Sequence, residues 1–177
     1  MPQAMSLEQQ VRYLLDRAEI ADVMGRYCLG MDLRDWEMYR SCWTGDVTFD
    51  VDDFGFDDAP SGPLGIDTWI ASLQAFFARL ERSQHVKYPV SYAFDGDRAE
   101  VYAIMQGKHW RTRADGEPLQ TVVGYYRDLY LRTPDGWKMS ASKEVLFWNE
   151  GDFAVIEPGM DDMLGVLRAA RQSGGKQ

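Results

Sequence analysis

Arg26-Tyr27-Cys28-Leu29-Gly30-Met31-Asp32-Leu33-Arg34-Asp35-Trp36 is the stretch on which the fold turns. It reads as the end of one helix, a short break and the start of another. Ile20, Val23, Met24, Tyr27, Cys28 and Met31 recur at i, i+3, i+4, i+7, i+8 and i+11, the stripe that a helix buries against a core. Tyr27 therefore points inward with a hydroxyl that needs a partner. Asp32 follows where the helix ends and a side chain can turn into the interior. A carboxylate beside an apolar stripe is costly unless it is paired or working. The rest of the chain offers a candidate partner, His85, one of only two histidines. The chain accordingly reads as built to hold Tyr27, Asp32 and His85 around one pocket.

Working outward, Ser6 with Gln9 reads as a capping box, and Leu7, Val11, Leu14 and Leu15 as a short amphipathic helix. Asp16 with Glu19 reads as a second start signal, opening the helix that carries Tyr27. Asp35 caps a third helix, roughly Trp36 to Trp43. Val47 to Val51 reads as a strand, and Asp52 to Pro63, rich in Asp, Gly and Pro, as a loop. Asp67 can cap a fourth helix, with Ile66, Trp69, Ile70, Leu73, Phe76, Phe77 and Leu80 at helical spacing.

From His85 the period changes from 3.6 to 2. Val86, Tyr88, Val90, Tyr92 and Phe94 alternate, and Asp95-Gly96-Asp97-Arg98 turns the chain. Ala99 to Arg113, Leu119 to Arg132 and Trp137 to Asn149 follow as long strands, separated by Asp-Gly turns at Asp115-Gly116 and Asp135-Gly136. The result is an antiparallel meander. Both faces carry large residues, so one face packs on the helices and the other calls for a second subunit, a homodimer or homotrimer. A weak helix over about 160–171 closes the pattern, and the tail from Gln172 reads as disordered. Residues 1–177 read as a single domain with its core over about 7–150.

Composition narrows the function classes. The chain has 177 residues, 45% of them hydrophobic and 13% aromatic, with a formal charge of −9. An acidic chain argues against nucleic acid and anionic membranes as partners. No apolar run approaches the roughly 20 residues of a membrane span, and the N-terminus has no secretion signal. Cys28 and Cys42 read as buried free thiols, which fits a reducing cytoplasm. Asp50, Asp52, Asp53, Asp57 and Asp58 lack the Gly and terminal Glu of a calcium loop, and no zinc spacing or Gly-rich phosphate loop is present, so no metal or cofactor is expected.

Helices first, then a long curved meander, make an α+β domain: a bent antiparallel sheet wrapped around the N-terminal helices as a cone with an internal pocket. An aromatic-lined interior suits a hydrophobic small molecule. Asp16-Arg17-Ala18-Glu19-Ile20-Ala21-Asp22, Arg26-Tyr27, Met31-Asp32 and Asp35-Trp36 resemble the opening of SnoaL-like proteins, of the nuclear transport factor 2-like (cystatin-like cone) superfamily. Asp95-Gly96-Asp97-Arg98-Ala99, Gly124-Tyr125-Tyr126-Arg127-Asp128 and Asp135-Gly136-Trp137-Lys138 extend the resemblance to about residue 150. Within it, the pattern is similar to scytalone dehydratase, bile-acid 7α-dehydratase and hexachlorocyclohexane dehydrochlorinase, whose acid–base dyad joins a carboxylate after the long helix to a histidine at the start of the sheet. Asp32 and His85 match that dyad, and Tyr27 matches the tyrosine five residues before the Asp of the bile-acid enzyme. His109 matches a second pocket histidine of the scytalone enzyme. Met31 stands where that enzyme has a tyrosine, and Leu146 where the bile-acid enzyme has an arginine, so the substrate does not carry over.

The resemblance implies a cofactor-independent lyase of dehydratase type. A carboxylate fixes the tautomer of a neighbouring imidazole and makes it a base, and a phenol can hold a leaving hydroxyl or an oxyanion. The same groups suit retro-aldol loss of a small fragment, isomerisation or cyclisation. A ligand-binding protein without chemistry, or a small structural subunit like that of ring-hydroxylating dioxygenases, shares the fold. His109, Tyr88, Trp69, Tyr126, Tyr39 and Trp148 are the candidate substrate-binding residues. Strand parity sets His85 opposite Val86, Tyr88 and Val90, so either sheet face could be the pocket, and whether Arg127, Asp128 or Lys143 faces it is open.

Overall fold

Ser6 opens helix α1 (Leu7–Leu33) with a reciprocal box: its hydroxyl accepts the Gln9 N–H at 3.2 Å, and Gln9 Oε1 accepts the Ser6 N–H at 2.8 Å. The computed structural model describes residues 5–52 and 63–174. The second helix start expected at Asp16 and Glu19 does not occur, and α1 runs through it. These acids serve tertiary contacts instead. Arg132 donates to both Asp16 oxygens at 2.8 and 2.7 Å, Trp137 Nε1 donates to Asp16 at 3.2 Å, and the Trp137 N–H donates to Glu19 at 2.9 Å. The stripe from Ile20 to Met31 is the buried face of α1, while Leu7, Val11, Leu14 and Leu15 stay exposed on its first turns.

Arg34 ends α1 in the left-handed region, φ 60°, its N–H returning to the Met31 carbonyl at 3.2 Å. Helix α2 (Trp36–Ser41) folds back closely: a Cβ on Gly30 would lie 2.8 Å from the Tyr39 nitrogen. Asp35 caps it by accepting the Met38 N–H at 3.0 Å. The helix is shorter than expected because Trp43 already belongs to strand β1 (Trp43–Asp52), drawn into the sheet by the Met139 N–H to Cys42 carbonyl bond of 2.8 Å. The loop expected over Asp52 to Pro63 lies, except at its ends, outside the described residues.

Strand β2 (Leu64–Gly65) pairs with β1 and leads into helix α3 (Ile66–Phe77). Its cap is Gly65 rather than Asp67, which sits in the first turn and pairs with Arg40. Then comes the meander: β3 (Arg82–Asp95), β4 (Arg98–Trp110), β5 (Leu119–Thr133) and β6 (Gly136–Gly151). Gly96 and Gly136, with φ of 58° and 98°, supply the left-handed positions of two of its turns. The strand order is β2-β1-β6-β5-β4-β3, with β1 parallel to β6 and every other pair antiparallel. The protein is thus α+β, a curved, unclosed mixed sheet wrapped on its N-terminal helices.

A 3-10 turn (Phe153–Val155) precedes helix α4 (Glu157–Gly174). This helix extends three residues beyond the expected range at each end, so Gln172, Ser173 and Gly174, expected to be disordered, are helical. It packs on α3 at short range: a Cβ on Gly159 would lie 2.7 Å from the Phe76 carbonyl oxygen. Among the described residues no helix is long and apolar enough to cross a membrane.

The strands alternate as the period of two requires. Ala99, Val101, Ala103 and Met105 are buried on the inner face, whereas Val86, Tyr88, Val90, Tyr102, Ile104, Leu129, Phe147 and Trp148 are exposed on the outer one. Tyr102, Tyr125 and Phe147 form a continuous aromatic row there, with ring centroids 6.0 and 5.6 Å apart. Cys28 and Cys42 are free and buried. Burial pushes Cys28 up to about 12 and Cys42 in the same direction, so both remain thiols.

Candidate functional site

The inner face of the sheet, α1, α3 and α4 enclose a cavity of about 180 Å³. β3 brings His85 to its wall, and the end of α1 sets Asp32 behind His85, outside the lining itself. His85 Nδ1 lies 2.7 Å from Asp32 Oδ1. The other carboxylate oxygen accepts the His85 backbone N–H at 2.7 Å, and Ser83 donates to Oδ1 at 2.9 Å. Burial pushes the Asp32 carboxyl up, but the hydrogen bonds and charge of His85, helped by Ser83, outweigh it and hold the carboxyl below its ordinary value. An ionised carboxylate only accepts, so the proton sits on His85 Nδ1, and Nε2 is left as the ring's acceptor. Arg34 braces the arrangement from behind: its guanidinium donates to Ser83 Oγ at 2.8 Å and to the Met31 carbonyl, and lies 4.3 Å over the Phe77 ring.

His109 lies on β4 with its ring centroid 5.3 Å from that of His85. Gly107 makes the room between them: a Cβ there would lie 3.3 Å from His85 and 3.4 Å from His109. Gln120 donates through Nε2 to Asn149 Oδ1 at 2.5 Å, which leaves its oxygen to accept from His109 Nδ1 at 2.7 Å. Burial, and then the neighbouring His85, push His109 down to about 3, so it is a neutral imidazole.

Tyr27 also borders the cavity, its ring 5.1 Å from Tyr39 and 6.3 Å from Tyr126, with its hydroxyl in reach of both of theirs. Burial raises Tyr27 and Tyr126 well above the usual phenol value, so both keep their protons. Behind them lies an ion pair that is itself buried, Lys87 Nζ to Asp128 at 2.7 Å, with the ammonium 4.4 and 4.0 Å over the rings of Tyr27 and Tyr126.

Of the residues expected in the pocket, Tyr27, His85, His109, Trp69 and Tyr126 line it. Tyr39 does not: it is fully buried beneath the wall and accepts from Trp69 Nε1 at 3.0 Å. Tyr88 and Trp148 also lie away from it, 64% and 51% exposed on the outer face. The pleat decides this, since His85 turns inward and its even-numbered neighbours turn out. Arg127 faces outward to Glu100 at 2.9 Å, Lys143 lies 3.7 Å from Asp50, and Asp128 faces inward to Lys87.

Ser83, Arg34, Gln120 and Glu144 are the site residues that sequence reasoning missed. Ser83 shares the face of His85 by parity, and the Asp115-Gly116 turn sets Gln120 opposite His109, so both carried a signal. Arg34 and Glu144 did not. Among the described residues, no cluster of three or more His, Cys, Asp or Glu side chains is arranged to hold a metal ion.

The chain is similar to a set of solved structures. The Kfla4162 protein of Kribbella flavida matches at TM-score 0.73 and 29% identity, over 78% of this chain and 95% of that one. A hexachlorocyclohexane dehydrochlorinase, LinA type 2, matches at TM-score 0.67 and 15% identity, over 81% of this chain and 93% of the other. A protein provisionally named scytalone dehydratase from Novosphingobium aromaticivorans matches at TM-score 0.64 and 16% identity, over 79% and 89%. At such identities the last two are evidence of shared fold. No curated protein sequence matches. The family model of the SnoaL-like domain matches residues 12–143, most of the chain, and this protein belongs to the SnoaL-like domain family.

Proposed function

We propose that this protein is a cofactor-independent lyase that eliminates a leaving group from a hydrophobic, ring-containing small molecule. The observation that carries the reading is the 2.7 Å contact of His85 Nδ1 with an Asp32 carboxylate fixed by two further donors, at the wall of an apolar cavity. Such a pair leaves Nε2 as a base of defined orientation. Nε2 takes a proton from carbon, the C–H electrons form the double bond, and the leaving group departs with its bonding pair. Tyr27, a phenol lining the same cavity, is the donor in this reading to the departing oxygen or to an oxyanion. His109, neutral, supplies a second oriented imidazole in the same wall.

The cavity volume limits the substrate. At roughly 10–15 Å³ per water position, 180 Å³ holds about a dozen non-hydrogen atoms, a one- or two-ring molecule. Phe49, Trp69, Leu73 and Phe76 make its walls apolar. Elimination agrees with the names of two proteins of the same fold, a dehydrochlorinase and one named for dehydration. The test is to screen one- and two-ring alcohols for loss of water, then to assay His85→Ala and Asp32→Asn on the substrate found. Losses of about 10²–10⁴-fold are expected for removal of a general base. Unchanged turnover in both variants would refute the reading.

A further inference from the structure

The base occupies one row of the sheet, and a second polar group faces the same cavity from another. His85 aligns with Gly107, Val122 and Asn149 across β3 to β6, whereas Glu144 aligns with Tyr126 and Ala103. Tyr126 is four residues along β5 from Val122, about 13 Å at the rise of a strand. Glu144 lines the cavity beside Phe49, Leu146 and Met105 and accepts the Tyr126 hydroxyl through Oε2 at 3.2 Å. Nothing in the elimination chemistry uses it.

We propose that Glu144, held by Tyr126, is a ligand anchor: its carboxylic acid donates from its second oxygen to an uncharged carbonyl or hydroxyl oxygen on the ring system. The inference rests on the cavity being the ligand site and defines the ligand as a neutral, oxygen-bearing aryl molecule. It does not depend on elimination.

The surroundings favour the protonated form. The titratable groups around Glu144, among the described residues, are Tyr27 on α1, Asp50 on β1, Lys87 on β3, Tyr126 and Asp128 on β5, and Lys143 beside it on β6. Helices α3 and α4 turn only uncharged side chains to the cavity. Lys87 is engaged by Asp128 at 2.7 Å, and Lys143 lies 3.7 Å from Asp50. Burial pushes the Glu144 carboxyl up to about 7, against the weaker pull of Tyr126 and Lys87. At neutral pH about half the molecules therefore carry the donor.

The test uses the full-length protein and 2-acetylnaphthalene, a two-ring ketone that does not itself titrate. Its affinity is measured calorimetrically at pH 6 and pH 8.5 for the wild type, Glu144→Gln and His85→Ala. If only the protonated acid binds, the competent fraction falls about thirtyfold between these pH values, and the apparent Kd rises in proportion. The wild type and His85→Ala are expected to show a loss of that order, and Glu144→Gln, near-isosteric and always a donor, to bind equally at both. No binding to the wild type at the solubility limit, or pH-independent wild-type binding, overturns the proposal. So does a pH dependence kept in Glu144→Gln or lost in His85→Ala. A failed elimination screen with this binding pattern intact would reject the lyase reading alone.

Discussion

Replacing Asp32 by Asn is expected to invert the tautomer of His85 without unfolding the protein. The carboxylate now accepts from three donors: His85 Nδ1 at 2.7 Å, the His85 backbone N–H at 2.7 Å and Ser83 at 2.9 Å. Asparagine has one oxygen and one amide nitrogen in the same shape. If the oxygen keeps the backbone N–H, the amide nitrogen faces Nδ1 and donor meets donor. If the amide flips, the same clash falls on the backbone N–H, at a cost of about 1–3 kcal/mol for a buried donor left unmade. The backbone N–H cannot move, but the imidazole proton can transfer to Nε2, which makes Nδ1 an acceptor. A hydrogen bond to a charged group contributes about 1.5–3 kcal/mol, so the wild-type ring should favour Nδ1–H by roughly 10- to 150-fold. Nitrogen-15 spectra of the labelled histidines at pH 9, above the ordinary imidazole range, read the protonated nitrogen directly and need no substrate. The protonated nitrogen should be Nδ1 in the wild type and Nε2 in Asp32→Asn. The same tautomer in both, or Nε2–H in the wild type, would refute the account of the dyad and with it the assignment of Nε2 as base.

Three further outcomes follow from other parts of the molecule. His109 is held at about 3, below the unfolded value of 6.5, so the unfolded state takes up a proton the folded state refuses. Stability should therefore fall as pH drops from 6.5 towards 3, by up to about 1.4 kcal/mol per pH unit from this group, and urea titrations of His109→Gln should show a shallower decline. Lys87→Met leaves the fully buried Asp128 without its cation and should cost about 3–5 kcal/mol in denaturant unfolding. The double variant Lys87→Met, Asp128→Leu should recover most of that loss, and equal losses in both would count against the ion pair. The exposed apolar outer face, with Tyr88, Ile104, Phe147 and Trp148, leads us to propose that a second copy of the chain covers it. Equilibrium sedimentation should then report a dimer or trimer that Phe147→Lys weakens, and a monomeric wild type would end that proposal.

Much of the fold was legible because it rests on periodicities that the chain carries locally. The α1 stripe, the change of period at His85 and the Asp-Gly turns each need only a few residues of context, and the elements fall where those signals put them. The misreadings share one cause. Asp16 and Glu19 have the composition of a helix start but hold Arg132 and Trp137, more than a hundred residues away. Trp43 reads as helix until Met139 draws its neighbour into the sheet.

For the candidate site, the sequence by itself offered Tyr27 on a buried stripe, Asp32 at a helix end, and His85 and His109 on inward-capable strand positions. Only the tertiary structure decided which sheet face forms the cavity. It therefore alone sorted Tyr126, which lines the cavity, from Tyr88 and Trp148, which do not, and helix packing sorted Trp69 from Tyr39. It also decided that β1 joins β6 in parallel and that α4 closes one wall. Glu144 marks the limit most plainly. Its neighbours in sequence are unremarkable, and what raises its carboxyl is burial against groups from other strands, while the nearby Lys87 is engaged by Asp128. Helix caps, tight turns and hydrophobic periods are local and can be read along a chain. Burial and electrostatic environment are sums over groups that only folding brings together.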